Sequence, residues 1–284
     1  MTYNNMKRTI IILSLLATIC DGTMAQVKDS IDTSLFVAVY DYECRTQNNE
    51  GDDVTDEMSI VVQVGQTMVK SMPFSVYAHI VEVSKADVAG EVQEAYMHMP
   101  TVWTELVHGQ TIVREFIFPH EYEGYEPTPE IAWTLLDDTM NVCGYHCHLA
   151  MGTFRGVEWR VCYTEDIPSS VGPWRLRGLP GLIVKAESEA YTFCLAELRQ
   201  EALPITAPEQ RPDVLRMKYA KLQKFKSEIY GNRHYAKAPT YYVPNMMGSV
   251  TDMSVINHNG QQLVLVNGGH PLLTKAHVYR PLEK

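Results

Sequence analysis

The chain has 284 residues, 45% of them hydrophobic, and a formal net charge of −10. That length suffices for one large or two small domains. An acidic chain without a Lys/Arg stripe repels phosphate backbones, which excludes nucleic acid as the expected partner.

The N-terminus places Lys7 and Arg8 before an uncharged run from Thr9 to Cys20, followed by Thr23-Met24-Ala25. A basic start, an apolar stretch of about ten residues and a small-x-small exit predict a cleavable export signal over 1–25. The run is shorter than the roughly twenty apolar residues of a membrane span, and no later segment approaches that length. The expected location is the periplasm or the cell exterior. Cys20 offers an alternative lipid anchor, but Ile19, bulky and β-branched, stands where lipoprotein processing wants a small residue. Cleavage after Ala25 is the preferred reading. Loss of Lys7, Arg8 and Asp21 takes the charge to −11 and leaves Cys44, Cys143, Cys147, Cys162 and Cys194. Five is odd, so at least one thiol stays free or pairs outside the chain.

Beyond the signal, short alternating or β-branched runs predict strands at Leu35–Tyr42, Ser59–Val64, Ile112–Phe118, Ile131–Leu136, Tyr145–Met151, Trp159–Thr164, Leu182–Glu187, Tyr191–Leu198 and Leu263–Val266. Turn chemistry separates them at Asn48 to Asp52, Asp137-Asp138, Arg155-Gly156 and Asn267-Gly268-Gly269. Short links from Ile131 to Leu198 favour an antiparallel meander. Two segments read as helices. Ser84 caps a pattern continued by Val88, Val92 and Tyr96. From Asp213 to Tyr230, Leu215, Tyr219, Leu222, Phe225 and Ile229 recur on one face, between Pro212 and Gly231. The expected fold is mainly β with helices (α+β), a curved antiparallel meander packed against one or two helices. It forms a single β-rich domain over 26–284, with a core at about 131–198 and a helix-bearing part at about 208–284.

The densest pattern runs from Asn141 to Glu187. It contains Phe154-Arg155-Gly156, Tyr163-Thr164, Ile167-Pro168, Gly172-Pro173-Trp174 and finally Gly178-Leu179-Pro180-Gly181-Leu182-Ile183. Pro180 has the fixed φ wanted at the second position of a type II turn, and Gly181 supplies the positive φ at the third. Gly178 allows close backbone approach, and the apolar run from Leu182 suits burial. The loop is expected to pack Trp174 and Leu179 onto the sheet. A phosphate-cradling role fails, because no Gly-rich run leads into a helix carrying a Lys.

These ordered motifs resemble the GLPGLI family of exported Gram-negative envelope proteins, named after the six residues from Gly178 to Ile183. The similarity is strong over roughly Ile131 to Leu198. Cys162 departs from the aromatic residue, commonly Trp, that the family carries before the Tyr-Thr pair. The resemblance implies an envelope protein whose biochemical role is unsettled, and it carries no catalytic residue across.

Strand alternation sorts the central thiols from the imidazoles. With Arg155-Gly156 at a hairpin tip, Cys147 faces Cys162 directly or one diagonal step away, making them candidates for a disulfide. His146 and His148 have the opposite parity. Two small metal sites remain open, a thiol cluster of Cys143, Cys147 and Cys162 or the His146/His148 pair, for copper or zinc. His120-Glu121 reads as a solvated acidic turn. Glu121, Glu123 and Glu126 form either a solvated face or a cation- or partner-docking surface. Gly-x-Ser-x-Gly, His-Glu-x-x-His and Ser-x-x-Lys signatures are absent. The leading functional expectation is a non-enzymatic protein binding an unknown small ligand or envelope partner. The alternatives are a copper- or zinc-binding protein and a hydrolase or thiol enzyme.

Overall fold

The computed structural model describes residues 30–47, 52–74, 76–77, 99–117, 120–231, 253–258, 261–266, 270–272 and 282–283. The export signal with Cys20, the turn residues 48–51 and 267–269 and the expected helix at 84–96 lie outside them.

Successive hydrophobic alternations build one long sheet. Its first half is β1 (Ser30–Gln47), β2 (Asp53–Gly65), β3 (Met68–Pro73), β4 (Thr101–Glu105), β5 (Gln110–Ile117) and β6 (His120–Pro127). The second half is β7 (Trp133–Val142), β8 (Tyr145–Phe154), β9 (Val157–Thr164), β10 (Leu182–Glu187) and β11 (Tyr191–Arg199). Two short strands, β12 (Pro204–Thr206) and β13 (Leu215–Lys218), precede helix α1 (Tyr219–Gly231). The order is β13-β6-β5-β4-β3-β2-β1-β11-β10-β9-β8-β7, with β12 paired to β1. A separate three-stranded sheet joins β14 (Met253–His258), β15 (Gln261–Val266) and β16 (His270–Leu272).

The α+β expectation is overturned: the described residues are 63% strand and 8% helix, with one short helix. The sheet is also mixed rather than purely antiparallel, because β13 runs parallel to β6. The physical reason lies at 213–230. Leu215 and Met217 alternate as well as they recur helically, and β6 offers an unpaired edge. Leu215–Lys218 therefore pair with Tyr122–Tyr125, and the helix starts only at Tyr219; sheet pairing overrides local propensity. A second correction falls at Asp137-Asp138. These residues do not turn the chain but lie within β7, in a register shift between Leu136 and Thr139.

The sheet curls strongly. Eight strand spacings separate β6 from β9, roughly 40 Å if flat, yet Arg155 at the β8–β9 tip pairs with Glu126 on β6. Inside the curl, Ala38, Tyr40, Tyr42 and Cys44 of β1 join Ile60, Val62, Trp159, Val161 and Phe193 in one core. Val37, Val39, Val61, Met72 and Tyr77 form a smaller cluster on the other face. Both faces of the central strands are thus buried.

The β9–β10 connection fills the curl. Trp174, Leu176 and Leu179 are almost wholly buried, each contributing roughly 1.5–3 kcal/mol by transfer from water. The Trp174 ring meets Phe154 at 5.5 Å and Trp159 at 6.3 Å. The loop's backbone is hydrogen-bonded to itself and to the sheet: Gly178 N–H donates to Ser170, and Ile183 N–H to Val171. Trp133 Nε1 donates to the Arg177 carbonyl at 2.8 Å and Tyr40 Oη to that of Ile183 at 2.7 Å. The two glycines exchange the roles expected of them. Gly178 holds the positive φ of +98°, whereas Gly181 lies outside the left-handed region and is pressed against the backbone of Thr164.

Candidate functional site at the mouth of the sheet

Two ionic clusters flank β5 and β6 on opposite faces. On the inner face, Glu126 pairs with Arg155 and Arg175, and Glu283 pairs with the same two arginines, at 2.9 Å to Arg175 and 3.1 Å to Arg155. Tyr219, the first residue of α1, hydrogen-bonds Glu283 and lies under the Arg175 guanidinium, 4.7 Å from its ring centroid. Burial pulls the Arg175 pKa down, but Tyr219, Glu283 and Glu126 outweigh it and the net direction is upward. Burial, then Glu283, pushes Tyr219 well above the usual phenol range. Lys226 of α1 pairs with Glu115 alongside. Gly124 lets the helix close in, since a Cβ there would stand 2.6 Å from the Tyr219 ring.

On the outer face, Arg114 and Arg216 each hold Glu123 at 2.6 Å, and Arg211 pairs with Glu121. Arg114 also donates to the Glu209 carbonyl. Lys70 is buried beside them, with no carboxylate paired to it among the described residues: its amine donates to Thr206 Oγ1 at 3.0 Å and lies over Trp103. Burial first, then the Arg114 charge, lowers its pKa to about 8. The carboxylates of β6 are therefore neither a solvated face nor a docking surface. They are neutralised by this chain's own cations, and His120-Glu121 opens a strand rather than forming a turn.

Beyond these clusters, a cavity of about 840 Å³ opens where strand ends of both halves meet. Its wall comprises Arg45, Thr46, Asp53 and Thr55 from β1 and β2, Thr153, Val157 and Glu158 around the β8–β9 tip, and Ser188 and Glu189 between β10 and β11. The tip is sharp because Arg155 and Gly156 both adopt positive φ, 45° and 78°, the geometry of a type I′ turn. Arg45 is committed to the fold: its guanidinium donates to the carbonyls of Ser188 and Glu189 and to Thr192 Oγ1. Besides Arg45, the wall carries the carboxylates of Asp53, Glu158 and Glu189, the hydroxyls of Thr46, Thr55, Thr153 and Ser188, and the apolar Val54, Val157 and Ala190.

The central cysteines and histidines lie elsewhere, and on opposite faces. Leu149 stands opposite Cys162, so Cys147 is one diagonal step away. Both are buried free thiols. Cys147 turns to the Tyr145 carbonyl, and Cys162 approaches Met140 Sδ at 3.6 Å. Burial, then Cys162, pushes the Cys147 thiol up to about 11. His146 and His148 lie edge to face, 5.7 Å apart, with Tyr163 against His148. Among the described residues no three His, Cys, Asp or Glu side chains converge as a metal site. The thiols brought together are Cys143 and Cys194, at 2.8 Å.

Neither a family model nor a curated protein matches the chain. Among solved structures, PNGF-II in its P21 crystal form is 12% identical, over 68% of this chain and 32% of that one, with a TM-score of 0.45. Its C2 form is 10% identical over 66% and 32%, with a TM-score of 0.41. The chain thus spans about a third of PNGF-II. The LolA superfamily protein NE2245 from Nitrosomonas europaea is 8% identical, over 61% of this chain and 88% of that one, with a TM-score of 0.26. Among the described residues no helix is long and apolar enough to cross a membrane.

Proposed function

We propose that the chain is an exported, non-catalytic envelope protein of the GLPGLI type that binds its ligand in the mouth cavity. The observation that carries this reading is the group of three carboxylates on a partly apolar cavity wall, contributed by both halves of the curled sheet. Asp53, Glu158 and Glu189 with Thr55, Thr153 and Ser188 favour a ligand rich in hydrogen-bond donors or positive charge, because carboxylates accept and do not donate. A volume of this size falls in the usual range for small-ligand pockets. The signature motif supports the scaffold rather than the ligand, since Trp174 and Leu179 are consumed by the core.

Neither alternative is favoured by a specific observation. A thiol nucleophile needs a depressed pKa, and Cys147 is shifted the other way. The histidine pair supplies two imidazoles, too few for a filled coordination shell.

The test is native mass spectrometry of the protein isolated from its own envelope. A retained mass is expected in the wild type and lost in Thr153→Trp, which fills the cavity, and in Glu158→Lys. A ligand held equally by wild type and both variants would overturn the assignment.

A further inference from the structure

We propose that Cys143 and Cys194 are oxidised to a disulfide that clasps the β7–β8 hairpin onto β11, leaving Cys44, Cys147 and Cys162 as thiols. Their sulfurs stand 2.8 Å apart, inside van der Waals contact. A bond of about 2.05 Å needs less than about an ångström of further approach. Accessibility selects the same pair independently. Cys143 is exposed and Cys194 half-exposed, whereas the other three described cysteines are buried. An odd set of five then divides into one bonded pair and three core thiols.

The placement gives the bond a mechanical role. Cys143 sits in the β7–β8 turn with φ of 52°, followed by Gly144 at 83°. β7 closes one end of the sheet order and is largely exposed. A free edge strand depends on one neighbour for its hydrogen bonds. Cys194 lies on β11, three strands beyond β8, so the link ties the hairpin tip back across the sheet and resists uncurling.

Oxidation by a low-molecular-weight disulfide such as oxidised glutathione balances in two exchanges. The Cys143 thiolate attacks one glutathione sulfur, forming a mixed disulfide and releasing one glutathione thiolate. The Cys194 thiolate, its proton passed to solvent, then attacks the Cys143 sulfur and releases the second. Both protein thiols are oxidised, and one glutathione disulfide is reduced to two thiols. Cys143 acts first, because it is the exposed thiol of the pair and the one glutathione disulfide reaches.

The folded, purified chain is treated with oxidised glutathione, alkylated without reduction and digested with trypsin. This step is independent of export and of any ligand, so its failure is distinct from failure of the binding assignment. A linked species joining the peptides 115–155 and 186–199 is expected. It should persist in Cys147→Ser and vanish in Cys143→Ser. Reduction should lower the melting temperature of the oxidised wild type by roughly 5–15 °C and leave Cys143→Ser unmoved. Alkylated Cys194 in the oxidised wild type, linkage of Cys194 to Cys147, or a linked pair whose reduction leaves melting unchanged would each overturn the clasp.

Discussion

Gly181→Ala tests the packing of the central loop most directly. An added Cβ would lie 1.9 Å from the Thr164 carbonyl oxygen, 2.5 Å from its carbon and 2.9 Å from the Glu165 nitrogen. All three are backbone atoms, so no side-chain rotation relieves the contact. Restoring an ordinary separation requires β10 to move from β9 by more than about an ångström, and interiors at crystal-like density resist such shifts. Leu182 pairs with Thr164 next door, and Leu182, Leu179 and Trp174 are buried in the same core, so displacement opens several contacts together. Overpacking in a well-packed core costs roughly 1–3 kcal/mol and occasionally more; a clash this deep with a whole peptide group belongs at about 4 kcal/mol or above. Gly178→Ala is the matched control. Its Cβ meets only the Trp133 indole, at 3.7 Å, so the cost is the conformational penalty of a positive φ, about 1–2 kcal/mol. Urea denaturation followed by tryptophan fluorescence gives both values. A Gly181→Ala protein as stable as Gly178→Ala, or within about 1 kcal/mol of wild type, would refute the reasoning.

Lys70→Met is expected to stabilise the protein most near pH 7 and progressively less as pH rises. A folded pKa of about 8 against 10.5 unfolded means the burial penalty is present in full below pH 8 and gone above pH 10.5. Wild-type stability should therefore gain about 2–3 kcal/mol on the variant between pH 7 and pH 10. Parallel pH profiles in chemical denaturation would contradict the shift. Arg175→Met should cost about 3–5 kcal/mol, because it strips a buried cation from Glu126 and Glu283. Arg155→Met should cost less, since Arg155 is nearly a third exposed and solvent screens its loss. Equal effects in thermal or urea melts would remove the distinction.

Where a strand carries β-branched or aromatic residues in alternation, it was legible. Leu35–Tyr42, Ser59–Val64 and Leu182–Glu187 all lie in strands, and the Arg155-Gly156 tip is where turn chemistry put it. β6 was missed for a physical reason. In His-Glu-Tyr-Glu-Gly-Tyr-Glu-Pro the charged residues imitate a solvated loop, and only their cationic partners reveal burial. Those partners are remote for Glu126: Arg155 is 29 residues away and Arg175 is 49. Period-two reasoning reports which way a side chain points. It cannot report what covers that face. At 213–230 the same limit acted in reverse, because a helical repeat of apolar residues hid four that a vacant strand edge recruits.

The mouth cavity was illegible for a different reason. Each of its contributors is a short polar segment beside a turn, and Thr153, Ser188 or Glu189 alone is ordinary turn composition. The cavity exists because the curl brings these ends together, and the curl rests on long-range closure by Arg155, Arg175, Glu126 and Glu283. The signature loop supplies Arg175 to that closure and Trp174 to the core, so the residues that mark the sequence act one step away from the proposed ligand wall. Substitutions in the motif should consequently reach binding through stability, whereas substitutions on the wall should change binding in a protein that melts normally. That separation makes the two kinds of variant informative together: a motif variant that folds with wild-type stability and still loses ligand would move the site from the mouth into the loop.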